Sequence, residues 1–109
     1  MSSSLHYGYR TVWSEEDGAF VATAAEFPSL SWVADEAPEA LRGLEALIES
    51  VVADLREQGE EVPVPLVDRT YSGKLSVRIS PSLHKKVAMR AAEEKVSINR
   101  LVSQALAEV

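Results

Sequence analysis

The chain has 109 residues, 46% hydrophobic and 26% charged, with a net charge of −6, a balance ordinary for a soluble globular protein of one compact domain or two small ones. The absence of cysteine excludes disulfides, thiolate zinc sites and thiol nucleophiles. No apolar run approaches the ~20 residues that cross a bilayer, and Met1–His6 lacks the basic start and apolar stretch of a secretion signal, so an unanchored, cytoplasmic protein is expected.

The net charge averages two unlike halves. Residues 1–70 hold four basic and fourteen acidic groups, a net of −10, and residues 71–109 hold seven basic and three acidic groups, a net of +4. Such asymmetry suggests a polyanion as partner of the C-terminal part and a basic partner for the N-terminal part. A solvated, solubilising surface is the plain alternative for the acidic half.

Tyr7–Trp13 is rich in aromatic and β-branched residues and reads as a strand. Asp17-Gly18 is a hairpin-turn signal, because glycine accepts positive φ and aspartate tolerates it. Ala19–Ala24 is the returning strand, Phe27-Pro28-Ser29 breaks it, and Leu30–Ala34 alternates again as a third. Leu41, Leu44, Ile48, Val51 and Leu55 then recur at steps of three and four, the stripe of an amphipathic helix covering one sheet face. Pro38 suits its first turn, Glu36 and Glu39 suit the positive end of its dipole, and Gly59 is placed to end it. Glu39, Glu45, Glu49 and Glu57 lie off the stripe. Val62-Pro63-Val64 suits an edge strand, where proline is tolerated, and two prolines two residues apart mark a boundary zone.

From Gly73 onward the pattern changes. In Lys74–Ile79 the polar Lys74, Ser76 and Arg78 alternate with the apolar Leu75, Val77 and Ile79, so a strand would present the two sets on opposite faces. Ser80-Pro81 opens a helix with an N-cap and a proline in the first turn. Its stripe is Leu83, Val87 and Ala91, with Lys85, Lys86 and Arg90 outward. Ser97 caps a second helix whose apolar face holds Ile98, Leu101, Val102, Ala105, Leu106 and Val109. About 37 residues without cysteine or metal ligands cannot bury enough to offset chain entropy, so the segment is expected to dimerise. Two copies would form an antiparallel ribbon with Leu75, Val77 and Ile79 in a dimer core. Outward, Lys74 and Arg78 suit guanine O6 and N7, Ser76 can donate or accept, and such a ribbon fits the DNA major groove. The second helix, started at Ser97 with Asn99 in its first turn, suits a DNA phosphate.

Residues 73–109 resemble a ribbon-helix-helix repressor domain of the Arc and MetJ type. Trp13–Ala22, Glu26–Ser31 and Ala37–Leu41 resemble the HicB family of antitoxins, and with both parts the resemblance spans nearly the whole chain. It implies an α+β protein: an N-terminal β-β-β-α(-β) domain, a partial ribonuclease H-like fold, over 5–66; a linker over 67–72; and a ribbon-helix-helix (β-α-α) over 73–109 forming an intertwined homodimer. It also implies an antitoxin that neutralises a basic mRNA-cleaving toxin like HicA and represses its own operon by binding operator DNA. The sequence departs from the family pattern at Pro28-Ser29, where Pro-Gly is usual, and at Ala34-Asp35-Glu36, where Gly-Asp-Thr precedes the helix.

Two other functions compete. One is a stand-alone ribbon-helix-helix regulator whose N-terminal domain oligomerises or senses a ligand. The other is a nuclease, which needs carboxylates converging on paired cations. Glu15, Glu16 and Asp17 are consecutive in a turn and diverge, and neither His6 nor His84 has ligand spacing around it. Trp13 and Trp32 read as core residues, not a base-stacking platform. No enzymatic activity, metal, cofactor or membrane partner is expected.

Overall fold

A computed structural model describes residues 6–109; the tail Met1–Leu5, including the expected domain start at Leu5, lies outside the described residues. The chain divides into two compact units, one up to Tyr71 and one from Ser72 to Val109. It is α+β, with three antiparallel strands and three α-helices among the described residues.

In the first unit, β1 (Tyr9–Ser14), β2 (Ala19–Ala24) and β3 (Ser31–Ala34) form a meander in the order β1-β2-β3. The β1–β2 hairpin closes on Gly18 at φ 60°. The Asp17 amide donates to Ser14 Oγ over 3.2 Å, and Ser14 Oγ donates to Asp17 Oδ2 over 3.0 Å, so Asp17 is occupied in shaping the turn. Helix α1 (Ala37–Glu57) packs on all three strands. It ends in a Schellman motif: Gly59 at φ 73°, with Gly59 N–H donating to Arg56 O and Glu60 N–H to Leu55 O.

The buried stripe of α1 is Ala40, Leu44, Ile48 and Val52, with Leu41, Val51 and Leu55 only half-buried. The expected stripe is therefore rotated by about one residue. The cause is the partner surface. Small Ala22 and Ala24 on β2 are almost fully buried, and Ala40 opposite them lets helix and sheet approach closely. Tyr7, expected in a strand, precedes β1 and enters the core, edge-on to Phe27 at 5.0 Å. Trp13 and Trp32 are not core residues; both are close to half-exposed. Trp32 lies over Gly43, where an added Cβ would overlap the indole.

No strand forms at Val62–Val64. Instead this stretch is strapped to the first unit by side chains. Tyr7 Oη donates to Pro63 O over 2.6 Å. Glu26 accepts from the Gly8 amide (3.0 Å) and the Leu66 amide (2.8 Å). His6 Nδ1 pairs with Asp68 over 2.7 Å, at a 3-10 turn over Leu66–Asp68 that begins on the last residue of the expected first domain and runs into the expected linker. Prolines 63 and 65 remove the N–H groups that a sheet ladder needs, and side-chain tethers take its place.

In the second unit, α2 (Pro81–Glu94) begins at Ser80, whose Oγ accepts from Leu83 N–H, and ends at Lys95 in the left-handed region at φ 57°. Helix α3 (Ile98–Leu106) begins at Ser97, whose Oγ accepts from Arg100 N–H. Residues 74–80 carry no strand within the single chain, since a strand is defined by its hydrogen-bonded neighbour.

Candidate nucleic-acid interface

The second unit buries very little. Ala91 is its one buried hydrophobic residue. Leu83, expected on the buried stripe of α2, is exposed, and Val87 is half-buried. Leu75 is 74% exposed and Val77 67%, and Ile79, Ile98, Val102 and Leu106 are exposed too. These side chains are not scattered. Leu75, Val77 and Ile79 line one apolar cavity of about 470 Å³ together with Leu83, Val102 and Leu106. The apolar side of the 74–79 segment and those of α2 and α3 thus face a common space that one chain leaves unfilled.

Lys74, Ser76 and Arg78 are exposed, on the alternate positions of the same segment. Ser97 is exposed at the start of α3, where its hydroxyl takes the Arg100 amide. The N–H groups before Arg100 have no intrahelical acceptor and point out of the helix mouth, the arrangement that receives a phosphate. Asn99 is exposed in that turn but also borders the apolar cavity. Lys85 and Lys86 are exposed on α2, whereas Arg90 is paired with Glu94 over 2.8 Å, which partly spends its charge locally. The expected base-contact set and the expected dimer core are thus adjacent in one segment, on alternating positions, and the phosphate set begins a neighbouring helix.

The first unit holds no comparable cationic group. Its notable ionisable residues are Glu26 and Tyr9, neither singled out from the sequence. Partial burial pushes the Glu26 carboxyl up, but the Leu66 and Gly8 amides that it accepts, with Arg69 nearby, together outweigh this and hold it below its ordinary value. Tyr9 is pushed up to about 12 by burial, with Glu45 and Glu49 of α1 adding to the effect. Its hydroxyl is shut off from solvent with no hydrogen-bond partner among the described residues. No sequence signal distinguishes Glu26 from its thirteen acidic neighbours; only the fold brings Gly8 and Leu66 to it.

Among the described residues no three histidine or acidic side chains are grouped so as to hold a metal ion, and no helix is long and apolar enough to cross a membrane. The family model described as the HicB family matches residues 57–106, from the end of α1 through nearly all of the second unit. The match spans 50 of the 109 residues, a little under half of the chain. No match is found among curated proteins or solved structures.

Proposed function

We propose that this chain is the antitoxin of a HicA/HicB-type toxin–antitoxin pair and the repressor of its own operon. Two copies of the second unit associate through the 74–79 segment, pairing it as an antiparallel ribbon that closes over Leu75, Val77 and Ile79 of both chains. Six polar side chains, Lys74, Ser76 and Arg78 from each copy, then enter the major groove of operator DNA, and the α3 N-terminus at Ser97 and Asn99 meets the phosphate backbone. The acidic first unit takes the basic, mRNA-cleaving toxin. The chain itself performs no catalysis and uses no cofactor, and it acts in the cytoplasm beside its toxin and its operator.

One observation carries the DNA-binding half: a 38-residue unit with a single buried apolar residue and a row of large exposed ones around one unfilled cavity. Such a unit is below the size that supports its own core, and a second copy of the same surface supplies the missing half. The family match and the net of −10 over residues 1–70 support the toxin-binding half.

Sedimentation and operator gel shifts on the full chain test the DNA-binding half together. The wild-type chain should sediment as a dimer or larger and bind operator DNA with an affinity that falls steeply with salt. Leu75→Asp should yield a monomer that does not shift operator DNA, because a charge cannot enter the shared core. A wild-type monomer that binds the operator, or a Leu75→Asp variant that still dimerises, would refute the ribbon. Pull-down with the adjacent small basic gene product tests the toxin half.

A further inference from the structure

Trp13 stands at the end of the first unit's sheet where the β1–β2 turn lies. Its register partner is Phe20, which pairs in turn with Ala34, the last residue of β3. The indole meets the Phe20 ring edge to face, centroids 5.1 Å apart, and donates its N–H to Glu15 Oε1 over 3.2 Å. These two contacts hold the ring in place, yet Trp13 is 49% exposed. It also stands on an edge strand. Ala25 N–H donates to Gly8 O, and inward and outward groups alternate along a paired strand, so Thr11 and Trp13 turn their backbone N–H and C=O away from β2. The same end of the sheet gathers charge of one sign. Glu15, Glu16 and Asp17 lie in the turn, and Asp35, Glu36 and Glu39 lead from β3 into the first turn of α1. All six are exposed, and the ion pairs among the described residues involve none of them. Of the four arginines in residues 1–70, only Arg42, in the second turn of α1, comes near this end. Arg10 lies at the far end of β1, Arg56 in the last turn of α1, and Arg69 is bound to Val64 O.

We propose that this end of the sheet is where the chain takes its basic protein partner, with Trp13 as the anchor. Charge selects the occupant. Nucleic acid, an anionic membrane and a second acidic first unit are each repelled by six uncompensated carboxylates, and a cationic surface is drawn to them. The aromatic pair selects the contact. Tryptophan is among the side chains enriched at the energetic centre of interfaces. An arginine or lysine laid on the exposed indole gains the attraction of a cation for an aromatic ring, and Glu15 already stands at the edge of that ring. The outward backbone of Thr11 and Trp13 offers hydrogen bonds beside it. This inference rests on the toxin-binding half of the proposed function and names the surface that half uses.

Biolayer interferometry of the full chain against the adjacent small basic gene product tests it. Trp13→Ala should weaken binding at least about thirtyfold, chiefly by faster dissociation. Glu16→Lys should weaken it at least about tenfold, chiefly by slower association and a flatter salt dependence. Glu57→Lys makes the same change in net charge at the other end of α1 and should cost less than about threefold. Far-ultraviolet circular dichroism checks each fold. Glu16 and Glu57 are both exposed, so their comparison decides the question even where Trp13→Ala unfolds. If the wild-type chain binds the basic protein and a folded Trp13→Ala binds it equally well, or Glu16→Lys binds it as well as Glu57→Lys, this surface is refuted and the toxin reading stands. A wild-type chain that does not bind it refutes the toxin reading, and this surface with it.

Discussion

Gly43 lies in the middle of α1, where alanine is favoured over glycine by about 1 kcal/mol. On propensity alone Gly43→Ala should stabilise the protein. The structure predicts the opposite sign. A Cβ at this position would overlap Nε1, Cδ1 and Cε2 of the Trp32 indole, which lies across the glycine. The indole must leave, or α1 must lift from the sheet. Lifting disturbs Leu44 and Ile48, which are fully buried, so the indole is the softer partner. Trp32 is 44% exposed; displacing it gives up about 100 Å² of apolar contact, or roughly 2.5 kcal/mol at 25 cal/mol per Å². Setting that against the propensity gain leaves a net loss of about 1.5 kcal/mol. In a Trp32→Val background the overlap is gone, and the same Gly43→Ala change should stabilise by about 1 kcal/mol. The sign thus reverses, and the coupling between the two sites is about 2.5 kcal/mol. Urea unfolding followed by tryptophan fluorescence suits the measurement, because both tryptophans lie in the first unit and Trp13 remains as reporter in the double variant. A Gly43→Ala chain more stable than wild type, or additive effects of the two substitutions, would refute the close-approach account of this glycine.

Arg78→Ala should weaken operator binding by about 1–3 kcal/mol per lost guanine contact and relax sequence preference at that base; unchanged affinity and preference in gel-shift titrations would count against a ribbon in the groove. Tyr9, raised to about 12, loses its proton later in the folded chain than in the unfolded one. Its contribution is therefore present below pH 10 and is lost as pH rises from there through 12. The 295 nm titration of the wild-type chain should contain a phenol titrating at about 12 that is missing from Tyr9→Phe, and that substitution should leave stability at pH 7 unchanged or higher, since the deleted hydroxyl has no hydrogen-bond partner among the described residues. Glu26, held below its ordinary value, contributes stability that is present above that value and lost as pH falls through the folded one. Glu26→Gln should cost roughly 1 kcal/mol at pH 7 after allowance for solvent screening and speed hydrogen exchange at the Leu66 amide, and its difference from wild type should shrink as pH falls through the folded value. Equal Leu66 exchange in both chains would show that the strap does not depend on this carboxylate.

The sequence by itself determined the local elements and the division of charge. Ala19–Ala24 is the returning strand expected after the Asp17-Gly18 turn, and Ser80 and Ser97 cap the helices they precede, because turn chemistry and capping act over two to five residues. Tertiary structure decided what depends on distant neighbours. The buried stripe of α1 is centred on Ala40, Leu44, Ile48 and Val52 because small Ala22 and Ala24 lie beneath it. Trp32 is drawn out over Gly43, and Val62–Val64 is held by Tyr7 and Glu26 instead of a ladder. Lys74–Ile79 shows the limit most clearly. Its alternation is written in the sequence, yet no strand forms in one chain, because backbone pairing is a property of two segments and this one meets no second segment among the described residues.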